Sequence, residues 1–179
     1  HDIGILKFTQ NELDDFSFHK ELEMGAFSKH SMYGYELVKN KDLDQSIKQA
    51  VLTHHEHADG SGFPLGVDNK SLNPIQRVIE IVDVYDTLLM REPGFKRMSP
   101  FEVLIQLNEV EGNKYDPSAL LIFTSRLAQT FIQCRVRLNN GQEGKIVLFN
   151  KYSILRPLIQ VGSGFVDLAL RKDLNIVEL

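Results

Sequence analysis

Cysteine, tryptophan and surplus positive charge are scarce in this chain of 179 residues: it has one Cys, no Trp, and 20 Lys and Arg against 24 Asp and Glu, a net charge of -4 with its 6 His neutral. The lone Cys134 rules out an internal disulfide and fits a reducing compartment, and its apolar surroundings predict a buried core thiol rather than a nucleophile. Without a basic surplus the chain has no electrostatic footprint for a phosphate backbone, so a nucleic-acid duplex is not an expected partner; a local cluster can still serve a small phosphorylated ligand. No apolar run approaches the ~20 residues that cross a bilayer and no signal peptide opens the chain, so we expect a cytoplasmic protein with no membrane partner. Internal repeats and low-complexity segments are missing too. What remains is an ordinary globular composition, 42% hydrophobic and 25% charged, enough for one fair-sized core and a small appendage. The sequence starts at His1 rather than at a methionine, so part of the protein is expected upstream.

Helix signals dominate to about residue 132. In DQSIKQAVLTHHE, Ile47, Val51 and then His54 or His55 recur at helical spacing, which predicts both histidines in the last turn beside the apolar face, before a glycine-rich stretch. NPIQRVIEIVDVYDTLL has Asn73 placed to cap, Pro74 at the first helical position, and Ile75, Val78, Ile79 and Val82 as the expected inward stripe, with Asp83 and Asp86 beside it. Ser99, Pro100 and Glu102 form a capping box ahead of Phe101, Leu104 and Ile105, and Asp116 with Pro117 opens a further helix. After Cys134 the period changes to two: Val136 and Leu138 alternate with Arg135 and Arg137, a turn falls at Asn139, Asn140 and Gly141, and Ile146, Val147 and Leu148 resume the pattern. RPLIQV and GFVDLAL read as two more strands. The expected fold class is mainly α, a helical body over 1–132 with a small C-terminal β-rich appendage over 133–179.

The chemistry-bearing residues of the helical body are His1 and Asp2 at the start, His30 in SKHSMYGYELV, His54 and His55, and Asp83 in IVDVYD. Tyr33, Gly34, Leu37 and Val38 place His30 on the inner side of a helix. Neutral imidazole with carboxylate suits iron, manganese or zinc, and the lack of thiolates argues against a closed structural zinc site. A carboxylate next to a histidine has a further use, because its two oxygens can bridge two cations while imidazoles fill the remaining positions. Two cations about 3.5 to 4 Å apart can hold a hydroxide between them for in-line attack on a phosphodiester and stabilise the charge that develops. Each residue also has an ordinary role open to it. A single histidine is more often a solvated helix end, and Asp83 could cap or pair locally. His19 and His57 read as surface residues, Glu56 as either a partner of a ligand or solvated, and NELDD as an exposed loop or helix start.

HDIG, then His30, then HHEHADGSGFP over 54–64, then IVDVYD and MSPFEVL, in that order, resemble the HD-GYP branch of the HD phosphohydrolases, bacterial enzymes that hydrolyse cyclic di-GMP. The likeness runs from residue 1 to about 128, and the β-rich tail resembles one found on some members. The resemblance implies an HD-type all-helical bundle, with the family's N-terminal helices outside this sequence. It implies His1, Asp2, His30, His54, His55 and Asp83 as metal ligands, Asp2 bridging, around two divalent ions, iron first and manganese as the alternative; in the family the centre is binuclear or trinuclear. Asp2 and Asp86 are the expected catalytic carboxylates, Asp86 by orienting a ligand histidine or else as a merely solvated residue. Asp59, Gly60, Gly62, Phe63 and Pro64 form the expected substrate-binding loop, whose glycines let the backbone approach the ligand while Pro64 fixes the exit. Arg91 and Lys96 in REPGFKR are the nearest candidates to hold substrate phosphates. Cyclic di-GMP is the implied small-molecule partner, with diguanylate cyclase domains or an upstream regulatory domain as protein partners.

Three departures qualify the resemblance. Ile5 stands where the family has a lysine near the scissile phosphate, and an aliphatic side chain neither donates to a phosphate oxygen nor neutralises its charge. Phe63 replaces the tyrosine of the name-giving loop, keeping a stacking face and losing the hydroxyl. The family's upstream helix supplies a further ligand histidine, and in trinuclear members a glutamate, outside this stretch. The expected function is a metal-dependent phosphodiesterase that opens cyclic di-GMP to pGpG and, where a second cleavage follows, to GMP. A weakly active or inactive relative that binds the nucleotide as a sensor, or engages a protein, is the alternative that Ile5 and Phe63 favour. A phosphohydrolase of mononucleotides comes third, disfavoured by the spacing from His54 and His55 to Gly62, Phe63 and Pro64.

Overall fold

The structure, a computed structural model, describes residues 1–19, 27–90 and 98–179, and the side chains of these except at 15–19 and 27. A 3-10 segment at Asp2–Lys7 opens the chain. Helices α1 (Gln10–His19), α2 (His30–Val38), α3 (Gln45–Thr53), α4 (Pro74–Leu89), α5 (Pro100–Ile105, prolonged by a wide turn over Gln106–Val110) and α6 (Pro117–Thr130) follow. Strands β1 (Arg135–Leu138), β2 (Glu143–Asn150), β3 (Ser153–Val161), β4 (Gly164–Asp167) and β5 (Ile176–Glu178) form one antiparallel sheet in the order β4-β3-β2-β1-β5. The architecture is therefore helical with a five-stranded sheet. The mainly α expectation describes the part up to Thr130, and the sheet is more than a minor tail.

By packing, the chain forms two compact units, His1–Asp83 with Asn113–Ala119, and Val84–Gly112 with Leu120–Leu179. The expected line at residue 132 follows the change of sequence period, whereas the packing divides within α4 and α6. In the second unit the inward faces of the strands (Val136, Leu138, Ile146, Ile159) share one buried cluster with Phe101 and Leu104 of α5 and with Phe131. Each such side chain taken fully out of water contributes about 1.5–3 kcal/mol. Arg135 and Arg137 face outward from β1 in strict alternation. The expected hairpin forms with Arg135 opposite Lys145 and Arg137 opposite Glu143. Cys134 is half-buried against this cluster. The capping box of α5 is present, with Glu102 N donating to Ser99 Oγ at 3.2 Å and Ser99 N to Glu102 Oε2 at 2.7 Å.

In the first unit the other caps also fall where the sequence placed them. Asn73 Oδ1 accepts from the amides of Ile75 (2.9 Å) and Gln76 (3.1 Å) at the start of α4. Asp116 Oδ1 accepts from Ala119 N at 2.9 Å ahead of α6, and its Oδ2 receives Asn69 Nδ2 at 2.8 Å and Arg77 Nη1 at 3.2 Å.

The inward stripe of α4 is a correction. Ile75, Val78 and Val82 are 41%, 50% and 44% exposed, while Gln76 and Glu80 are buried. Polar side chains occupy the inner face because each finds a partner there: Gln76 donates to Thr53 Oγ1 and Glu80 accepts from His57. Ile47 of α3 likewise faces outward, whereas Ala50 and Val51 are buried. Among the described residues no helix is long and apolar enough to cross a membrane.

Candidate metal centre

Four short segments of the first unit deliver the candidate ligands. His1 and Asp2 stand at the start of the 3-10 segment, His30 is the first residue of α2, His54 caps the C-terminus of α3 and His55 follows it, just past the helical turn the sequence predicted for them, and Asp83 is the tenth of the sixteen residues of α4. Gly4 explains how the first two meet the third. A Cβ at this position would collide with the His30 carbonyl oxygen and lie 2.5 Å from Gly34 N. Only glycine lets the 3-10 segment rest on the first turn of α2, which brings Asp2 to His30.

The nitrogens converge. His30 Nε2 is 2.9 Å from His54 Nε2 and 3.1 Å from His55 Nε2. Asp2 Oδ1 is 3.3 Å from His30 Nε2 and 3.5 Å from His54 Nε2, while its Oδ2 is 3.3 Å from His1 Nε2. Asp83 closes the circuit, with Oδ1 3.3 Å from His1 Nε2 and Oδ2 3.8 Å from His55 Nδ1. Each carboxylate thus turns its two oxygens toward different imidazoles. His30 and His54 are completely buried and His55 nearly so, whereas His1 and Asp2 reach solvent.

The donor set fits a divalent cation. His54 Nδ1 lies 3.0 Å from the Val51 carbonyl oxygen, to which it donates, so the Nε2 lone pair points into the cluster. Ligands at adjacent corners around one ion, each about 2.1 Å from it, sit about 3 Å apart, which is the spacing of these nitrogens. Three buried imidazole nitrogens this close have few protons to share between them, and a cation satisfies them all. His30, His54 and His55 form one group able to hold an ion, and His1, Asp2 and His54 another.

The electrostatics of Asp2 and His55 point the same way. Hydrogen bonds to Asp2 and then Asp83 raise His1 from 6.5 to about 10. Burial pushes the Asp2 carboxyl up, but hydrogen bonds from His1, His30 and His54 outweigh it and hold the group far below the usual carboxylate range. Burial, then the neighbouring His54 and His30, lower His55 to about 2. Asp2 ionised and His55 neutral are the forms in which these groups ligate, whereas His1 carries a proton beside the two carboxylates that an ion taken up at its Nε2 must displace.

The loop after α3 wraps one side of the cluster. Phe63 stacks on the His55 ring at 4.7 Å between centroids, 23° between planes, so the face expected to receive substrate lies against a candidate ligand. Gly62 has no room for a Cβ, which would strike the His55 carbonyl and the His57 amide. Phe63 and Pro64 are joined by a cis peptide bond. Gly60 takes a left-handed turn with φ 79°. Asp59 is exposed and its Oδ1 accepts from Ser61 N at 2.9 Å and Ser61 Oγ at 2.6 Å, a local turn. Arg91, Lys96 and the His19 side chain lie outside the described residues. Asp86 is exposed and no side-chain partner for it stands among the described residues, which leaves the role of orienting a histidine without a contact. Ile5 is half-buried.

His57, read as a surface residue, is not one, and of the two readings open for Glu56 the solvated one does not hold. Glu56 is fully buried, its Oε1 accepting from Leu65 N (2.5 Å) and Gly66 N (3.2 Å) and its Oε2 from Val67 N (2.9 Å), which pins the far end of the loop. His57 is buried too, with Nδ1 2.7 Å from Glu80 Oε1 and its ring edge-on to Tyr115. Burial raises Glu80 from 4.5 to about 7, against the opposing pull of His57. Glu56 and His57 lie in the irregular segment just after α3 and only Glu80 lies inside a helix, so spacing alone gives them no partner. A cavity of about 540 Å³ lies elsewhere, against the sheet beside Arg135, Lys145 and Gln160, and no candidate ligand lines it.

A sequence model of the HD domain family matches residues 19–119. The chain is 25% identical over 162 residues to a cyclic di-GMP phosphodiesterase of Pseudomonas aeruginosa, covering 90% of this chain and 39% of that protein. It is 30% identical over 134 residues to the cyclic di-GMP phosphodiesterase response regulator RpfG of Xanthomonas campestris, covering 72% of this chain and 35% of that one. With 3'3'-cGAMP-specific phosphodiesterase 3 of Vibrio cholerae it shares 27% identity over 109 residues, 61% of this chain and 24% of the relative. The chain therefore spans well under half the length of these relatives.

Proposed function

The chain belongs to the HD domain family, and from that membership we propose that it is a metal-dependent phosphodiesterase of the HD-GYP branch that opens cyclic di-GMP to pGpG and, where a second cleavage follows, to GMP. The observation that carries this reading is the convergence of three buried imidazole nitrogens, spaced 2.9 and 3.1 Å, on an aspartate whose two oxygens face different histidines. His30, His54 and His55 would hold one divalent ion, and His1, Asp2 and Asp83 a second, with Asp2 shared; iron is the first candidate and manganese the alternative. Bound ions of this class activate water and neutralise charge at a phosphodiester. The chain's own contribution is to fix the donors. The Val51 carbonyl sets the His54 tautomer, Gly4 seats Asp2 against α2, and Phe63 covers one face of His55 and keeps water from it. Asp59, Gly60, Gly62, Phe63 and Pro64 would form the substrate rim. The names of the first relatives support cyclic di-GMP as substrate, and the Vibrio relative's name favours 3'3'-cGAMP as the second.

Residues 133–179 lie beyond the matched segment, and we read them as an appendage to the catalytic part at 1–132 that is nonetheless packed onto α5. A diguanylate cyclase domain or an upstream regulatory domain is the protein partner that suits this reading. The alternative, a nucleotide-binding sensor with little or no turnover, is favoured by Ile5, which offers the scissile phosphate no donor. Turnover separates them. The protein is loaded with Fe(II) or Mn(II) under reducing, low-oxygen conditions and given cyclic di-GMP, or 3'3'-cGAMP in a parallel arm. Linear product supports the enzyme, and tight binding without product selects the sensor. His55→Ala is expected to lose at least one bound ion and all hydrolysis; unchanged metal stoichiometry in that variant removes His55 from the ligand set.

A further inference from the structure

Helix α4 presents Gln76, Glu80 and Asp83, spaced by four and three residues, on one face toward the end of α3 and the loop beyond it. Each meets a partner from the segment 53–57. Gln76 Nε2 donates to Thr53 Oγ1, His57 Nδ1 donates to Glu80 Oε1 at 2.7 Å, and Asp83 Oδ2 lies 3.8 Å from His55 Nδ1. The histidine segment and α4 are thus joined at three successive levels, of which only the last involves candidate ligands.

The middle level is costly in a way that packing alone does not require. Glu80 and His57 are 1% and 5% exposed, and Glu80 Oε2 is buried with no hydrogen-bond partner among the described residues. A methionine would fill the same space and leave no orphaned oxygen. What the apolar side chain lacks is direction, since hydrophobic contact tolerates rotation of a helix whereas a hydrogen bond of this length fixes distance and angle. One residue of an α-helix is about 100° of rotation, so a fraction of that step carries Asp83 out of reach of His1 and His55.

We propose that His57 and Glu80 are a positioning pair that holds α4 in the rotation delivering Asp83 to His1 and His55, and so completes the ligand set of the second ion. This rests on the two-ion reading above.

The test measures Mn2+ uptake by equilibrium dialysis and metal analysis, with thermal unfolding of each metal-free protein alongside. The proteins are the unsubstituted chain, Glu80→Met, Glu80→Gln, Asp83→Ala and the Glu80→Met, Asp83→Ala double variant. Methionine keeps the volume and removes the acceptor, whereas glutamine keeps an acceptor for His57. The unsubstituted chain is expected to take two ions. Glu80→Met keeps the ion of His30, His54 and His55 and binds the second about 10–100-fold more weakly. Glu80→Gln stays close to the unsubstituted chain, and Glu80→Met adds no loss once Asp83 is gone. A purely structural role lowers the unfolding temperature in both backgrounds but does not produce that non-additivity. Full affinity for the second ion in folded Glu80→Met, or losses that add in the double variant, overturns the proposal. Should Glu80→Met not fold, His57→Phe removes the same hydrogen bond from the other side and is read by the same criteria. Failure of the unsubstituted chain to take a second ion overturns the two-ion reading and the positioning pair with it, and that arm alone identifies this case.

Discussion

Gly4 is the residue on which the geometry of the cluster turns, because no side chain fits between the 3-10 segment and the first turn of α2. Gly4→Ala is expected to cost about 1–3 kcal/mol through overpacking and to move Asp2 away from His30. Thermal unfolding and Mn2+ retention after dialysis check both parts. A variant with unchanged stability and metal content contradicts the close approach of Gly4 to α2. At this scale the sequence was most informative where chemistry and order coincide. His1, Asp2, His30, His54, His55 and Asp83 stand out by residue type and succession as candidates, and the fold brings all six within one unit. Glu56, His57 and Glu80 do not, because a charged residue beside a turn or inside a helix reads as solvated until the fold supplies its donors. Glu56 draws three backbone amides from residues nine to eleven positions later, partners that no local pattern announces.

Elements were legible at their ends and less so in their facing. The caps Asn73, Ser99 and Asp116 act through contacts within three residues, so sequence suffices to place them. Asp116 does more, since Asn69 and Arg77 also meet its carboxylate. The Asn69 hydrogen bond first, then the Ala119 amide and the Arg77 charge, hold its carboxyl below the usual 3.8. A depressed carboxyl contributes stability that is present above the unfolded value and lost as pH falls below it toward the folded one. Asp116→Asn is therefore expected to be less stable by about 1–3 kcal/mol at neutral pH, with the difference shrinking as pH drops below 3.8. Urea unfolding at several pH values between neutrality and the acid limb measures it, and a difference independent of pH contradicts the account. The facing of α4 was misjudged because periodicity assigns the apolar stripe inward, while Ile75, Val78 and Val82 are in fact exposed and the paired polar stripe is buried. Strand β5 escaped notice since three residues, Ile176–Glu178, are too few to show alternation; it is held by pairing with β1.

For the molecule as a whole, a shift from helical to alternating period after Cys134 announced the sheet, but not that its apolar face would share a core with Phe101, Leu104 and Phe131. Period reports local backbone habit, and the core is settled by which apolar faces find each other. The HD family match ends at residue 119, ahead of every strand, and the first packing unit ends at the same residue, although its exclusion of Val84–Gly112 has no counterpart in the family match. The central claim is that side chains far apart in sequence converge on divalent cations. Crystals grown with Mn2+ and measured for anomalous scattering test it most directly. The account predicts a peak bonded to the Nε2 atoms of His30, His54 and His55 and a second beside His1, Asp2 and Asp83; no anomalous peak within bonding distance of these residues would contradict it.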